Sequence, residues 1–205
     1  MGAHATLMDH AELGTWVDLT SKGMMKAISN LSCLVGCEVQ VTALQTRYVP
    51  ARDAAYLLGG PEKDTVGIYL GVNGSATGHV LIVFEPNTAL GLVDILLETA
   101  PGSTKVIGEI EQSALGEVGN IMGSSFLNTL ADVSGLDLRI TPPSVLKDMA
   151  GAILDPALAE IMQETDTLLI VETIFGIRSR QINGTFLVLP NPGLQKALVK
   201  RRGEQ

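Results

Sequence analysis

The sequence predicts an α+β fold in which duplicated helix-strand-strand-strand-helix halves form one central, mostly antiparallel sheet. A pseudo-twofold axis relates the halves, and long helices pack across the sheet. Three observations predict this. The chain is written twice: a shift of 99 positions lays Leu31 on Leu130, Gly36 on Gly135 and Val41 on Ile140, and a shift of 106 lays Ile68 on Ile174, Gly78 on Gly184 and Pro86 on Pro192. Helical and strand patterns do not alternate one-to-one, as a doubly wound parallel sheet would require. Finally, 205 residues with 46% hydrophobic and 18% charged side chains supply a core for one ordinary domain. Residues 1–205 are therefore expected to form a single domain of two pseudo-repeats, about 9–100 and 108–202.

Asp9 can cap the first long helix while Glu12 reaches back to the cap, and Leu13, Trp16, Val17, Met24, Ala27, Ile28, Leu31 and Leu34 follow a helical period up to the stop at Gly36. Residues 38–44 alternate as a strand and a looser segment follows. Residues 65–72 and 77–84 read as two strands around the Asn73-Gly74 turn signal. Pro86 opens a helix to Glu98, which Pro101-Gly102 stops. In the second half, residues 109–133 repeat the long helix, Gly135 its stop, and residues 136–141 the strand. An inserted pair of short helices is expected over 144–154 and 156–163, with Asp155 capping Pro156 at the first helical position. Strands at 168–175 and 181–189 and a helix at 192–201 complete the chain.

Composition narrows the function. Aromatic residues are 4% of the chain and the net charge is −8, which disfavours stacking on single-stranded nucleic acid, phosphate-backbone binding and attraction to an anionic membrane. The start lacks a basic segment leading into a long apolar run, and the longest aliphatic run, Val80 to Phe84, is too short to span a bilayer, so the chain reads as cytoplasmic. Cys33 and Cys37 read as small hydrophobes, because their spacing fits neither a redox nor a zinc motif. His4, His10 and His79 are scattered, with no metal-ligand spacing. There is no G-x-S-x-G elbow and no G-K-[ST] phosphate loop. Lys196, Lys200, Arg201 and Arg202 read as a solvated helix end that favours the dipole.

The second long helix carries the most informative pattern. At about 100° per residue, Ser113, Glu117, Asn120, Ser124 and Asn128 share one side, opposite Leu115, Val118, Met122 and Phe126. Lys and Arg are absent between Lys105 and Arg139, whereas a solvated face ordinarily mixes both signs. Gly116, Gly119 and Gly123 punctuate the helix at a cost of up to about 1 kcal/mol each, which close approach by another backbone or packing on the sheet would both explain.

The string Ser113-Ala-Leu-Gly-Glu117-Val-Gly-Asn120, followed by Thr141-Pro142-Pro143, resembles the signature of the CheC/CheX/FliY family of chemotaxis phosphatases, and most resembles its CheC branch. The resemblance implies hydrolysis of the aspartyl-phosphate on the response regulator CheY. Asn120 would orient the attacking water and Glu117 would dock the partner through a lysine. Ser113 and Ser124 become flanking partner contacts, and Pro143 shapes its loop. It implies no cofactor of the chain's own, Mg²⁺ being supplied by the regulator. A non-catalytic switch or adaptor component that grips phosphorylated CheY, or a regulator that binds the receptor deamidase CheD, are the alternatives. Family members often carry two such sites. Here the equivalent first-half positions hold Gly14, Asp18, Ser21 and Leu44, which makes the Asp18/Ser21 site vestigial.

Overall fold

A computed structural model describes residues 8–177 and 182–202, with the side chains of 200–202 left aside. The first helix, α1 (His10–Val35), opens on the expected box. Asp9 accepts from the Glu12 N–H at 2.8 Å, the Asp9 N–H donates to Glu12 at 2.8 Å, and Gly36 ends the helix in the left-handed region at φ 65°. After it come β1 (Gln40–Pro50), a 3₁₀ helix (Ala51–Leu58), β2 (Asp64–Gly74), β3 (Gly78–Phe84) and α2 (Pro86–Leu96). The second half follows with α3 (Glu109–Ser134), β4 (Leu138–Ile140), β5 (Ser144–Met149), α4 (Ala150–Ile161), β6 (Thr167–Ile177), β7 (Ile182–Pro190) and α5 (Pro192–Arg202).

All strands join one antiparallel sheet in the order β1-β6-β7-β3-β2-β4, with β5 also paired to β2. Exchanging the halves turns this order into its own reverse. The axis is visible in the register: Leu81 and Leu187, 106 positions apart, face each other across the β3–β7 seam. The helices α1 and α3 have 26 residues each and both end at a left-handed glycine, Gly36 and Gly135. They pack on one face of the sheet around Trp16, Met24, Leu31, Leu115, Met122 and Phe126. The 3₁₀ helix and α4 cover the opposite face around Ala54, Leu81, Ile153, Ala157, Leu187 and Leu189.

Several expectations are corrected. The 38–44 strand runs on to Pro50, where it pairs with β6 to its last residue, and the looser segment is the 3₁₀ helix. Residues 144–149 form not a helix but strand β5, whose backbone pairs with Asp64–Tyr69 of β2. Pro156 lies inside a continuous α4 rather than at its start, so no cap falls at Asp155. The fourth strand shrinks to Leu138–Ile140, because the next two residues that could extend it are Thr141 and Pro142, and a proline has no N–H to give a ladder. Equivalence in the sheet places Ile68 on Val171 rather than on Ile174, since Ile68 pairs with Ile82 where Val171 pairs with Val188. The strand expected from Gln181 starts at Ile182, Gln181 being outside the described residues, as is His4.

Duplication also explains the break between β4 and β5. In β1 the register slips between Val41 and Ala43, a bulge at Thr42, whose hydroxyl donates to the Ile174 carbonyl at 3.2 Å. The equivalent Thr141 accepts the Gly71 N–H on its hydroxyl at 2.9 Å and donates its own N–H to the Gly71 carbonyl at 2.9 Å. Pro142 and Pro143 then stand where the first half has Ala43 and Leu44. The irregularity that β1 absorbs as a bulge becomes an open gap beside α3.

Candidate functional site

The polar stripe faces outward as its spacing requires. Leu115, Val118, Met122 and Phe126 are all fully buried, while Ser113, Glu117, Asn120 and Asn128 are exposed and Ser124 is half-buried. Asn120 therefore presents its amide to solvent, and among the described residues that amide has no hydrogen-bond partner. Glu117 stands one turn earlier on the same side. The Ser124 hydroxyl turns back to the Asn120 carbonyl at 2.5 Å, and Ser124 lines a crevice with Asn30, Cys33 and Ile121. On the neighbouring helix, Asn30 donates to the Ser125 hydroxyl at 2.7 Å, which ties α1 to α3 near this crevice.

The glycines seat the helix on the sheet. A Cβ on Gly119 would lie 2.5 Å from Ile68 Cγ2, and one on Gly123 would lie 3.1 Å from Leu70 Cδ2. Of the two accounts of these glycines, packing on the core sheet is the one the geometry favours. The absence of side chains lets α3 approach β2 until backbone meets branched side chain. Pro143 fills the gap beside the helix: its Cβ lies 3.2 Å from the Cβ position of Gly119 and its Cγ 3.7 Å from that of Gly116. The loop after β4 thus buttresses the turn between Glu117 and Asn120. On α1 the positions equivalent to Gly116 and Gly119 are Val17 and Thr20, the latter buried with its hydroxyl on the Trp16 carbonyl at 2.7 Å. That helix has no equivalent seat. Asp18 on it is exposed and Ser21 half-buried.

Sequence spacing did not reveal the groove beside the stripe. Ser113 and Glu117 form one wall of a groove of about 570 Å³ whose other walls are Leu34 of α1 and Leu96 and Leu97 at the end of α2, with Ile110 of α3 at its mouth. These come from three separate segments, and only an apolar residue at the solvent-facing position 110 signalled anything unusual. Among the described residues, no group of three or more His, Cys, Asp or Glu side chains could hold a metal ion, and no helix is long and apolar enough to cross a membrane.

Residues 110–146, which span Glu117, Asn120 and Pro143, match the profile of the CheC-like family. The chain is 30% identical over 125 residues to a Bacillus subtilis protein named CheY-P phosphatase CheC, covering 60% of each chain. It is 27% identical over 166 residues to CheC1 of Halobacterium salinarum, covering 79% of this chain and 84% of that one. Over these stretches the chain is similar to proteins of the CheC-like family. The fold is shared with solved structures of much lower identity. Thermotoga maritima FliY superposes with a TM-score of 0.76 at 16% identity, covering 97% of this chain and 99% of that one. CheX in a CheX–CheY–BeF₃–Mg²⁺ complex from Borrelia burgdorferi superposes with a TM-score of 0.60 at 18% identity, covering 85% and 99%. One sheet with two long helices across it is thus kept at identities where few side chains agree.

Proposed function

We propose that this chain is a phosphatase that accelerates hydrolysis of the aspartyl-phosphate of CheY. The observation that carries the reading is the Asn120 amide, exposed, without a protein partner and mounted on a helix held against β2. A solvent-facing amide both donates and accepts hydrogen bonds, so it can hold a water in line with a phosphorus atom. In the reaction, the bond from water oxygen to phosphorus forms as the bond from phosphorus to the regulator's aspartate breaks. Inorganic phosphate leaves and the carboxylate is restored. The metal that neutralises the phosphoryl oxygens comes with the regulator, so Asn120 contributes position rather than charge. Glu117 fixes the register by pairing with a lysine of the partner. Ser113 and Ser124 flank the contact, and Pro143 supports the helix without touching substrate. The name of the Bacillus relative and the CheY bound to the Borrelia CheX support the choice of substrate.

A phosphate-release assay on phosphorylated CheY tests the reading. Asn120→Ala should lower kcat by about a hundredfold, near 3 kcal/mol of barrier, with melting temperature unchanged. Asp18→Ala with Ser21→Ala should leave turnover within about twofold, because a serine hydroxyl reaches less far than an amide and α1 lacks the glycine seat. No acceleration by the wild type, together with tight binding, would make the chain a binding component instead. A CheD partnership belongs to the same proposal and is tested by isolating a complex with CheD that phosphorylated CheY strengthens.

A further inference from the structure

We infer that the groove bounded by α1, the end of α2 and the start of α3 is a second contact for the same phosphorylated receiver domain. It takes an apolar side chain of that partner that has a lysine or arginine beside it. The inference rests on the proposed function and extends the docking surface beyond Glu117 and Asn120. The groove is continuous with them. Ile110, Ser113 and Glu117 are spaced so that one side of α3 passes from the groove to the catalytic face. Ile110 is 67% exposed and lines the same groove as Leu96 and the exposed Leu97, so the apolar surface there is a patch rather than a lone side chain.

The groove is also preformed. Its lip, Leu96-Leu97, is followed by Glu98 in the left-handed region at φ 53°, so the chain leaves α2 in a sharp turn. Asp94 holds that turn: its carboxylate accepts the Gly102 N–H at 2.6 Å, the Thr104 N–H at 2.8 Å and the Thr99 hydroxyl at 3.2 Å. Little ordering is left to be done on binding, which favours affinity. Charge selects the occupant. Glu109 and Glu117 line the groove and no lysine or arginine does, so an apolar insert flanked by a basic group is matched and one flanked by carboxylates is repelled.

The test is steady-state phosphate release with full-length protein and phosphorylated receiver domain, comparing wild type with Leu97→Ser/Ile110→Ser and with Glu109→Gln. Both serine positions are solvent-facing, and a melting curve verifies folding. The double variant should raise KM about tenfold with kcat within about twofold, since burying two aliphatic side chains is lost from binding alone. Glu109→Gln should flatten the salt dependence of KM. An unchanged KM in a folded double variant overturns the groove while leaving the catalytic reading intact. If the wild type binds the phosphorylated domain without turnover, the catalytic reading fails, and weakened binding by the double variant still upholds the groove. Neither turnover nor binding overturns both.

Discussion

At the scale of single residues, the site depends on what is missing from Gly119 as much as on what Asn120 carries. An added Cβ at Gly119 would meet Ile68 Cγ2 at 2.5 Å, and Ile68 is fully buried in the core. Overpacking of that kind costs about 1–3 kcal/mol, and relief requires α3 to lift from β2. Gly119→Ala should therefore lower the melting temperature and also reduce kcat beyond the stability loss, measured well below the unfolding transition, because Asn120 is the next residue. A variant that melts early but turns over normally would show that the seat serves only the fold. The outward residues of this site were legible in the sequence, since a helix of known start rotates each side chain by a fixed angle. The seat was not. A helical glycine has several explanations, and choosing among them needs Ile68 and Leu70, which sit some 50 residues away on another element.

At the scale of elements, the misread segments share a cause: their conformation is set by a distant partner. Residues 144–149 show little alternation of buried and exposed positions, because β5 is an edge strand whose residues are nearly all exposed, and only the ladder to β2 makes it a strand. In α4, Pro156 removes one intrahelical hydrogen bond at a cost of about 3 kcal/mol, offset by burial of Ile153, Leu154, Ala157 and Ile161 on the sheet. Elements whose signals are local, such as the Asp9 box, the Gly36 and Gly135 stops and the Pro86 start, were legible. The α2–α3 connection carries a prediction of its own. Hydrogen bonds from Thr104, with Gly102 and Thr99, hold the Asp94 carboxyl down at about 2, from an ordinary 3.8. A carboxyl depressed by folding contributes stability above its unfolded pKa and loses it as pH falls through the folded one. Asp94→Asn should thus flatten the loss of stability between about pH 4 and pH 2 and lower stability at neutral pH by about 2 kcal/mol, as denaturant unfolding at a series of pH values would measure. An unchanged pH profile would assign the acid sensitivity to other carboxylates.

For the whole molecule, the pseudo-twofold axis through the Leu81–Leu187 pair explains why two halves share one core, and the departures from it mark specialisation. On the α1/α3 face the departure is the glycine seat of α3 on β2, where α1 has Val17 and Thr20 in place of Gly116 and Gly119. On the opposite face the first half has a 3₁₀ helix where the second has α4, and α4 closes over His79, which is 2% exposed. The imidazole Nδ1 lies 2.8 Å from the Tyr69 hydroxyl, and Nε2 is 3.6 Å from Glu160, whose other oxygen accepts from Asn191 at 2.7 Å. Burial pushes the His79 pKa below 6.5, and the Glu160 carboxylate only partly opposes it. The unfolded chain therefore takes up a proton near 6.5 that the folded chain still refuses, so stability is lost as pH falls from 6.5 toward the lower folded value. Glu160→Gln removes a carboxylate that favours the charged ring, and should steepen that loss. His79→Gln removes the titration and should flatten it. Melting temperatures from pH 7.5 to 5.5 for the three proteins would separate these slopes, and an identical slope in His79→Gln would place the sensitivity elsewhere. Because α4 lies across the sheet from α3, kcat per folded molecule at Asn120 should be the same in all three proteins.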